Sequence, residues 1–166
     1  MLVEFFWRFH RTDLSLLLQI PSEIGVFENM TYLSLAKNQL VGEIPTTIGN
    51  LKQLTSLRLN ENKLLSGTLP SEVCELTDLA LLAIGDNPLV TGKLPNDIWK
   101  LSKLQNLRLY NTGIEGKLPT ALSSMTDLEV LALVGSKFRG TIPNKLFSTL
   151  TALKSIALSK NVSCRN

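Results

Sequence analysis

The chain has 166 residues, of which 44% are hydrophobic and 19% charged, and its formal net charge is +3. This composition excludes a disordered chain, and no apolar run reaches the roughly 18 residues needed to span a membrane. Bases and acids are mixed along the chain without a basic cluster, so nothing indicates a nucleic-acid partner. Leucine nevertheless fills 34 positions, an excess over the usage of ordinary globular proteins.

The first segment, residues 1–19, does not follow the pattern of the rest of the chain. Its aromatic stretch at 2–9 includes Trp7 and could fold over the first repeat, or it could be an unrelated remnant. Glu4 and Arg8 interrupt the apolar residues, which makes the stretch a poor signal peptide. We therefore predict an atypical N-terminal segment or an incomplete cap.

A repeat region follows at residues 20–162, and a short C-terminal tail occupies 163–166. Prolines recur at intervals of 24 or 25 residues, and a period of this length predicts a stacked repeat architecture. Each of these prolines follows Ile or Leu, and all but the first have a glycine three positions upstream. The prolines are Pro21, Pro45, Pro70, Pro95, Pro119 and Pro143.

Within one repeat the spacing of apolar residues changes from three positions to two. From residue 48 to residue 57 they come every third position, which indicates a tight helical or 3₁₀ segment. Leu57 and Leu59 are two positions apart, which indicates a short strand with alternate side chains facing inward. We take the next apolar position to be Leu64, and Leu89 in the following repeat.

An asparagine lies three residues after the second inward residue of several strands. Backbone groups are buried at such a turn, and a side-chain amide can donate to one neighbour while accepting from another. We predict a structural ladder of these amides from coil to coil, formed by Asn38, Asn62, Asn87 and Asn161. Thr112 and Ser136 take this place in two repeats. A hydroxyl offers fewer hydrogen bonds than an amide, so we expect the ladder to be weakest there.

These motifs resemble the leucine-rich repeats of the plant-specific type. The run from Leu54 to Asn62 matches the pattern LxxLxLxxN, and the run from Gly42 to Pro45 matches the Gly-x-Ile/Leu-Pro element that distinguishes this type. The resemblance implies an α/β solenoid, a right-handed superhelix of about six repeats. It further implies a concave parallel β-sheet, a 3₁₀ or irregular convex side and a second short strand near each Gly-x-Leu-Pro. Extracellular members usually carry a disulfide cap before the first repeat, whereas residues 1–19 contain no cysteine.

Side chains suited to catalysis or metal binding are scarce. The one histidine, His10, lies outside the repeats, so a catalytic triad or a His/Cys metal site is not supported. Glu61 and Asp86 occupy the same place in successive repeats and could share a cation or a proton, but a solvated pair offset by Lys37 is the plainer interpretation. We predict no enzyme activity, no catalytic residue, no cofactor and no metal.

The outward residues of the concave strands form the candidate binding surface. Arg58 and Arg108 stand in one column, about 10 Å apart by strand spacing, with Ala83 between them. Tyr32 and Tyr110 add the rigid amphipathic contacts that are enriched at interfaces. We predict the centre of a peptide- or protein-binding face that could accept a carboxylate, with ordinary solvated sheet residues as the alternative. The full predicted set is Tyr32, Arg58, Asn60, Glu61, Asp86, Arg108, Tyr110 and Asn111.

Some residues fall outside the repeat pattern. Asn29 begins a sequon on the back of a coil and is a candidate glycosylation site, whereas the sequon at Asn161 coincides with a ladder position. Cys74 and Cys164 lie about four coils apart, roughly 20 Å by strand spacing, so a disulfide between them is implausible and Cys74 is expected to be a lone thiol. Phe147 is interpreted as a one-residue insertion.

By resemblance, the chain is expected to be a non-enzymatic protein or peptide recognition module. It would be the ligand-binding repeat region of a receptor-like protein or receptor-like kinase, outside the cell or at the plasma membrane. The expected partners are a protein or peptide ligand and a co-receptor, with no nucleic acid and no membrane segment within this chain. A stand-alone leucine-rich repeat scaffold or enzyme inhibitor is the alternative, and a hydrolase using Glu61 and Asp86 is a more distant one.

Overall fold

Two parallel sheets run along the stack of coils in the computed structural model, which describes residues 18–162. The six strands of the concave sheet are three residues long, and each pairs with the strand of the next coil. Most of the N-terminal segment, Cys164 and the C-terminal tail lie outside the described residues. The concave strands are β2 (Tyr32–Ser34), β4 (Ser56–Arg58), β6 (Leu81–Ala83), β8 (Asn106–Arg108), β10 (Val130–Ala132) and β12 (Ser155–Ala157).

The concave sheet brings equivalent residues of successive coils together. Its order is β12-β10-β8-β6-β4-β2, and Leu57 pairs with Leu82, which pairs with Leu107. These three leucines have no exposed surface, whereas Arg58 and Arg108 beside them are exposed. Because alternate residues of a strand face opposite sides, the leucines fill the interior and their neighbours form the concave surface.

A second parallel sheet lies where the Gly-x-Ile/Leu-Pro elements begin. Gly67 pairs in it with Val90 rather than with the equivalent Gly92, and Gly92 pairs with Ile114 rather than with Gly116. Each strand is therefore shifted by two residues relative to the repeat. The order of its strands follows the chain. They are β1 (Leu18–Gln19), β3 (Leu40–Gly42), β5 (Leu64–Thr68), β7 (Leu89–Lys93), β9 (Gly113–Gly116) and β11 (Lys137–Phe138).

Short helical turns form the convex side. Five of them begin directly after one of the repeating prolines, whose extended backbone and missing N–H suit the position before a helix. The predicted leucine-rich repeat solenoid, with a concave sheet and a 3₁₀ convex side, is thereby confirmed. The 3₁₀ turns are Ser22–Val26, Thr46–Asn50, Ser71–Glu75, Asn96–Lys100 and Thr120–Ser124, and the last turn is the α-helical α1 (Leu146–Thr149).

The insertion of Phe147 explains why the last turn differs from the others. In the second coil the N–H of Leu51 donates to the carbonyl of Ile48, three residues back. In the last coil the N–H of Leu150 donates to the carbonyl of Leu146, four residues back. One extra residue is therefore accommodated by exchanging a 3₁₀ turn for an α-turn, which keeps Leu146 and Leu150 buried and leaves Phe147 exposed.

The assignment of Leu64 and Leu89 as the next apolar positions of the repeat is wrong. Leu64 is 47% exposed and Leu89 49% exposed, whereas the following residues, Leu65 and Val90, are fully buried. These coils are one residue longer than the first one between the ladder asparagine and the glycine of the Gly-x-Ile/Leu-Pro element. The extra residue turns the first leucine outward and brings the next side chain into the core.

The ladder position joins adjacent coils through buried hydrogen bonds. The amide nitrogen of Asn62 donates to the carbonyl of Leu59 in its own coil at 2.8 Å and to that of Leu35 in the preceding coil at 2.9 Å. Its Oδ1 accepts from the N–H of Leu40 at 3.2 Å. Asn87 repeats this pattern one coil later, since its Oδ1 accepts from the N–H of Asn62 at 2.8 Å. Each amide thus satisfies backbone groups of two coils.

Hydroxyls replace the amide in the fourth and fifth coils. Thr112 and Ser136 each donate to the carbonyl of Leu109 at 2.8 Å, and their own oxygens lie 3.1 Å apart. These three contacts share two hydroxyl protons, so at most two are hydrogen bonds at any moment. Asn161 restores the amide pattern in the last coil, donating to Leu133 at 2.7 Å and to Leu158 at 2.8 Å.

Replacing Asn62 with alanine should be much more costly than replacing Ser136 with alanine. Asn62→Ala leaves the buried N–H of Leu40 without a partner and removes one of the two amide donors to the carbonyls of Leu35 and Leu59. We expect a loss of about 3 kcal/mol in the free energy of unfolding, against about 1 kcal/mol for Ser136→Ala. Urea denaturation of the two variants measures the difference. Equal losses would contradict the proposed role of the amide.

The corrected register predicts losses of very different size for two adjacent leucines. Leu65→Ala removes a fully buried side chain and should destabilise the chain by about 3 kcal/mol. Leu64→Ala makes the same chemical change at a half-exposed position and should cost less than about 1 kcal/mol. The thermal midpoints of the two variants test this, and a larger loss for Leu64→Ala would reverse the assignment.

Candidate functional site

Two arginines flank a small, buried residue on the concave sheet. The register pairs Arg58 with Ala83 and Ala83 with Arg108, so the arginines are two strand spacings apart, about 10 Å. Ala83 is only 6% exposed. The structure therefore places the two predicted arginines on either side of a shallow floor.

Each guanidinium has a neutral neighbour. The Arg58 guanidinium lies over the ring of Tyr32, 5.7 Å from its centroid, a cation–π contact that joins the first two coils. Arg108 donates to Oδ1 of Asn106 at 3.3 Å. Within residues 18–162 neither arginine has a carboxylate oxygen within 4.0 Å. Both positive charges are therefore available to an anionic group.

The ring of Tyr110 lies against the preceding coil at Gly85. A Cβ atom on Gly85 would come within 2.5 Å of Cζ of Tyr110, so only glycine leaves room for the ring. Burial raises the pKa of the Tyr110 hydroxyl, and the carboxylates of Asp86 and Glu61 raise it further. Tyr110 is thus a neutral, fixed aromatic group beside two acidic side chains.

The position that follows each concave strand has a left-handed backbone. Glu61 and Asp86 have φ values of 61° and 58°, and the same column contains Lys37, Asn111 and a glycine, Gly135. The N–H of Glu61 donates to the carbonyl of Gly85 in the next coil at 2.9 Å, and the other members of the column donate in the same way. These bonds between coils hold non-glycine residues in a conformation that costs each about 1–2 kcal/mol. Glycine, asparagine and aspartate adopt this conformation most readily, and Gly135, Asn111 and Asp86 were its signs in the sequence.

The acidic pair is engaged by neighbouring side chains. Glu61 forms an ion pair with Lys37 at 3.7 Å and accepts from Asn60 at 3.3 Å. Asp86 accepts from the amide of Asn111 at 2.7 Å. Among the described residues, no group of three or more His, Cys, Asp or Glu side chains is arranged to hold a metal ion. Glu61 and Asp86 therefore form part of a polar rim at the ends of the concave strands.

One hydroxyl within the concave sheet has no partner in the described part of the chain. Oγ of Ser56 is buried and makes no hydrogen bond there, and Ser56 pairs with Tyr32 on one side and Leu81 on the other. A buried hydroxyl of this kind is uncommon in proteins. Because Ser56 lies beside the Tyr32–Arg58 contact, we add it to the candidate site. The sequence did not single this residue out.

Asn29 and Cys74 lie away from this face. Asn29 is exposed, and its Oδ1 accepts from Gln53 at 3.0 Å. Burial raises the pKa of the Cys74 thiol to about 11, and the carboxylates of Asp97, Glu72 and Glu75 contribute to the shift. A thiol with so high a pKa is almost entirely protonated near neutral pH, so Cys74 is a poor nucleophile. In residues 18–162 no helix has the length and apolar character of a membrane span.

The repeats and both sheets match known proteins. A family model described as a leucine-rich repeat region matches residues 19–165. A segment of 51 residues is 49% identical to the LRR receptor-like serine/threonine-protein kinase GSO2 of Arabidopsis thaliana and covers 30% of this chain and 4% of that protein. The chain therefore belongs to the leucine-rich repeat family.

Solved structures of plant receptors have the same fold. The plant peptide hormone receptor RGFR1, in complex with RGF2, aligns with a TM-score of 0.81 at 36% identity, over 86% of this chain and 23% of the receptor chain. The ectodomain of the Arabidopsis receptor kinase HAESA, in complex with an IDA peptide hormone ligand, aligns with a TM-score of 0.81 at 32% identity. The alignment covers 86% of this chain and 24% of the HAESA chain. The chain thus spans about a quarter of these receptor chains.

The contacts of Tyr110 predict an elevated hydroxyl pKa that can be measured directly. The chain has two tyrosines, so Tyr32→Phe leaves Tyr110 as the only one to ionise. We expect its absorbance titration to have a midpoint above 10.0, the ordinary value for tyrosine. Adding Asp86→Asn removes a raising charge and should lower the midpoint. A midpoint at or below 10.0 in the folded chain would contradict the described environment.

Proposed function

We propose that the concave face binds a protein or peptide ligand through a carboxylate held between Arg58 and Arg108 over Ala83. The observation that carries the proposal is the pair of guanidinium groups on either side of a buried alanine, neither with a carboxylate partner among the described residues. A carboxylate accepts paired hydrogen bonds from guanidinium groups, and such bonds are stronger than those between neutral groups.

Neighbouring residues supply the rest of the binding face. Tyr32 and Tyr110 flank the arginine column with rings that are already held in place by Arg58 and Gly85, so little entropy is lost on binding. The unpaired hydroxyl of Ser56 lies in the strand position beside Tyr32, at the edge of this face. The polar rim would determine which polar groups of a ligand the face accepts, and its residues are Asn60, Glu61, Asp86 and Asn111.

The wider role proposed is that of a ligand-binding repeat region of a plant receptor, located outside the cell. Its support is the likeness to RGFR1 and HAESA, both described in complex with peptide hormones, and to HAESA in complex with the co-receptor SERK1. We propose a recognition role without catalysis because Glu61 and Asp86 are engaged by Lys37 and Asn111. On an extracellular chain, the exposed Asn29 would be the site for a glycan.

Peptide retention tests the proposed site. The immobilised chain is offered a pool of random peptides with free C-terminal carboxylates and the same pool with C-terminal amides. We expect preferential retention of the free carboxylates, and a loss of at least about tenfold in the double variant Arg58→Ala/Arg108→Ala, because each charge-assisted contact contributes about 1.5–3 kcal/mol. The matched control is Lys52→Ala/Lys154→Ala, which removes the same charge from the flank.

The controls separate this proposal from the scaffold or inhibitor alternative. If the folded double variant retains the free-carboxylate peptides as well as the unchanged chain does, the arginine column is not the site. If neither pool is retained but an intact protein is, and the double variant still binds it, then a scaffold using the edges or the convex side is favoured.

A further inference from the structure

A second charged surface lies on the other sheet. Four exposed bases, Lys93, Lys117, Lys137 and Arg139, lie in or beside strands β7, β9 and β11, and we call them the basic strip. The pairing places Lys93 beside Glu115 and Glu115 beside Lys137, so these residues form one row across three strands. Arg139 donates its N–H to the carbonyl of Gly116, which places it next to Lys117 in a second row.

The bases of the strip differ from the lysines of the outer flank in having no ion-pair partner. On the outer flank Lys52 pairs with Glu75 at 2.5 Å, Lys103 with Asp78 at 2.6 Å and Lys154 with Glu129 at 2.7 Å. In the part of the chain that the structure describes, no carboxylate oxygen lies within 4.0 Å of any of the four strip residues. With Glu115 included, the strip has a net charge of +3, as large as that of the whole chain.

Geometry keeps these charges close enough to act together. Adjacent strands are about 4.8 Å apart, so Lys93 and Lys137 lie about 10 Å from each other across the row. This separation is close to the Debye length at physiological ionic strength, about 8 Å, and their potentials therefore overlap. The stem of Lys117 lies along Gly140, where an added Cβ would come 3.4 Å from Cγ of the lysine.

We propose that the basic strip binds an acidic polysaccharide. Three of its four bases are lysines, which act as flexible point charges and suit anions spread along a polymer better than one fixed bidentate group. The neighbouring row pairs Thr68 with Thr91, two exposed residues whose hydroxyls can hydrogen-bond to sugar. The two charged rows contain no aromatic or aliphatic side chain of the kind that anchors a membrane surface or stacks on nucleobases.

Binding to polygalacturonate tests the proposal with the full 166-residue chain. Fully methyl-esterified polygalacturonate is the uncharged counterpart, and vesicles of phosphatidylserine and phosphatidylcholine present the alternative anionic surface. We expect salt-sensitive binding to polygalacturonate alone. Replacing the whole strip, with Lys93→Gln, Lys117→Gln, Lys137→Gln and Arg139→Gln, should weaken it by at least about tenfold.

A charge-matched variant separates the strip from net charge. Lys52→Gln, Lys100→Gln, Lys103→Gln and Lys154→Gln remove four positive charges that have acidic partners, and this variant should lose less than about threefold in affinity because distant charges are screened. Glu115→Gln should do the opposite of the strip variant and tighten binding, since it removes the one negative charge in the rows. The strip substitutions should weaken polygalacturonate binding by the same factor in the Arg58→Ala/Arg108→Ala background, which separates this test from that of the concave face.

Several results would overturn the proposal. The first is that the unchanged chain does not bind polygalacturonate at low salt, and the second is that it binds the esterified polymer equally well. The third is that the strip variant and the charge-matched variant lose the same affinity, and the fourth is that Glu115→Gln weakens binding. Strip-dependent binding to the vesicles without binding to polygalacturonate would assign the surface to membranes instead. If the fourfold strip variant does not fold, the variant that retains Lys117 decides the question, because it leaves the packing on Gly140 unchanged.

Discussion

Stacking of one coil on the next is the interaction on which every other feature of this chain depends. A coil of 24 or 25 residues has too little interior to fold alone, and its leucines become buried only when the adjacent coils cover them. Stacking also buries the backbone between coils, so each N–H and carbonyl there needs a partner. The amides of Asn62 and Asn87 and the left-handed residues after the concave strands supply those partners where the strands end.

Most inward positions could be predicted from the sequence because their surroundings recur from coil to coil. The leucine columns, the prolines before the convex turns and the ladder asparagines each face the same surroundings in every coil, so period and spacing identified them. The assignment failed at Leu64 and Leu89, where two apolar residues are adjacent and spacing alone does not say which is buried. The extra residue between the ladder asparagine and the following glycine decides it, and its effect depends on the path of the backbone.

Outward positions were predictable only in part. The column of Arg58 and Arg108 follows from counting along equivalent strands because the concave sheet pairs equivalent residues. Counting along equivalent positions does not find the basic strip, because the second sheet is shifted by two residues per coil. That shift brings Lys93 and Lys137 into one row although they hold different places in the repeat. The contact between Arg58 and Tyr32 joins two coils through side chains whose rotamers no spacing rule determines.

The same division explains how one small solenoid can present two surfaces of different chemistry. Fold stability rests on residues that face inward, so an outward substitution changes a surface with little cost to the core. The concave face places two arginines and two held tyrosines around a small floor, an arrangement suited to selecting one anionic group. The basic strip spreads flexible charges across a flat sheet, which suits a repetitive polymer. Because the two surfaces belong to different sheets and share no residue, a ligand on one need not displace a ligand on the other.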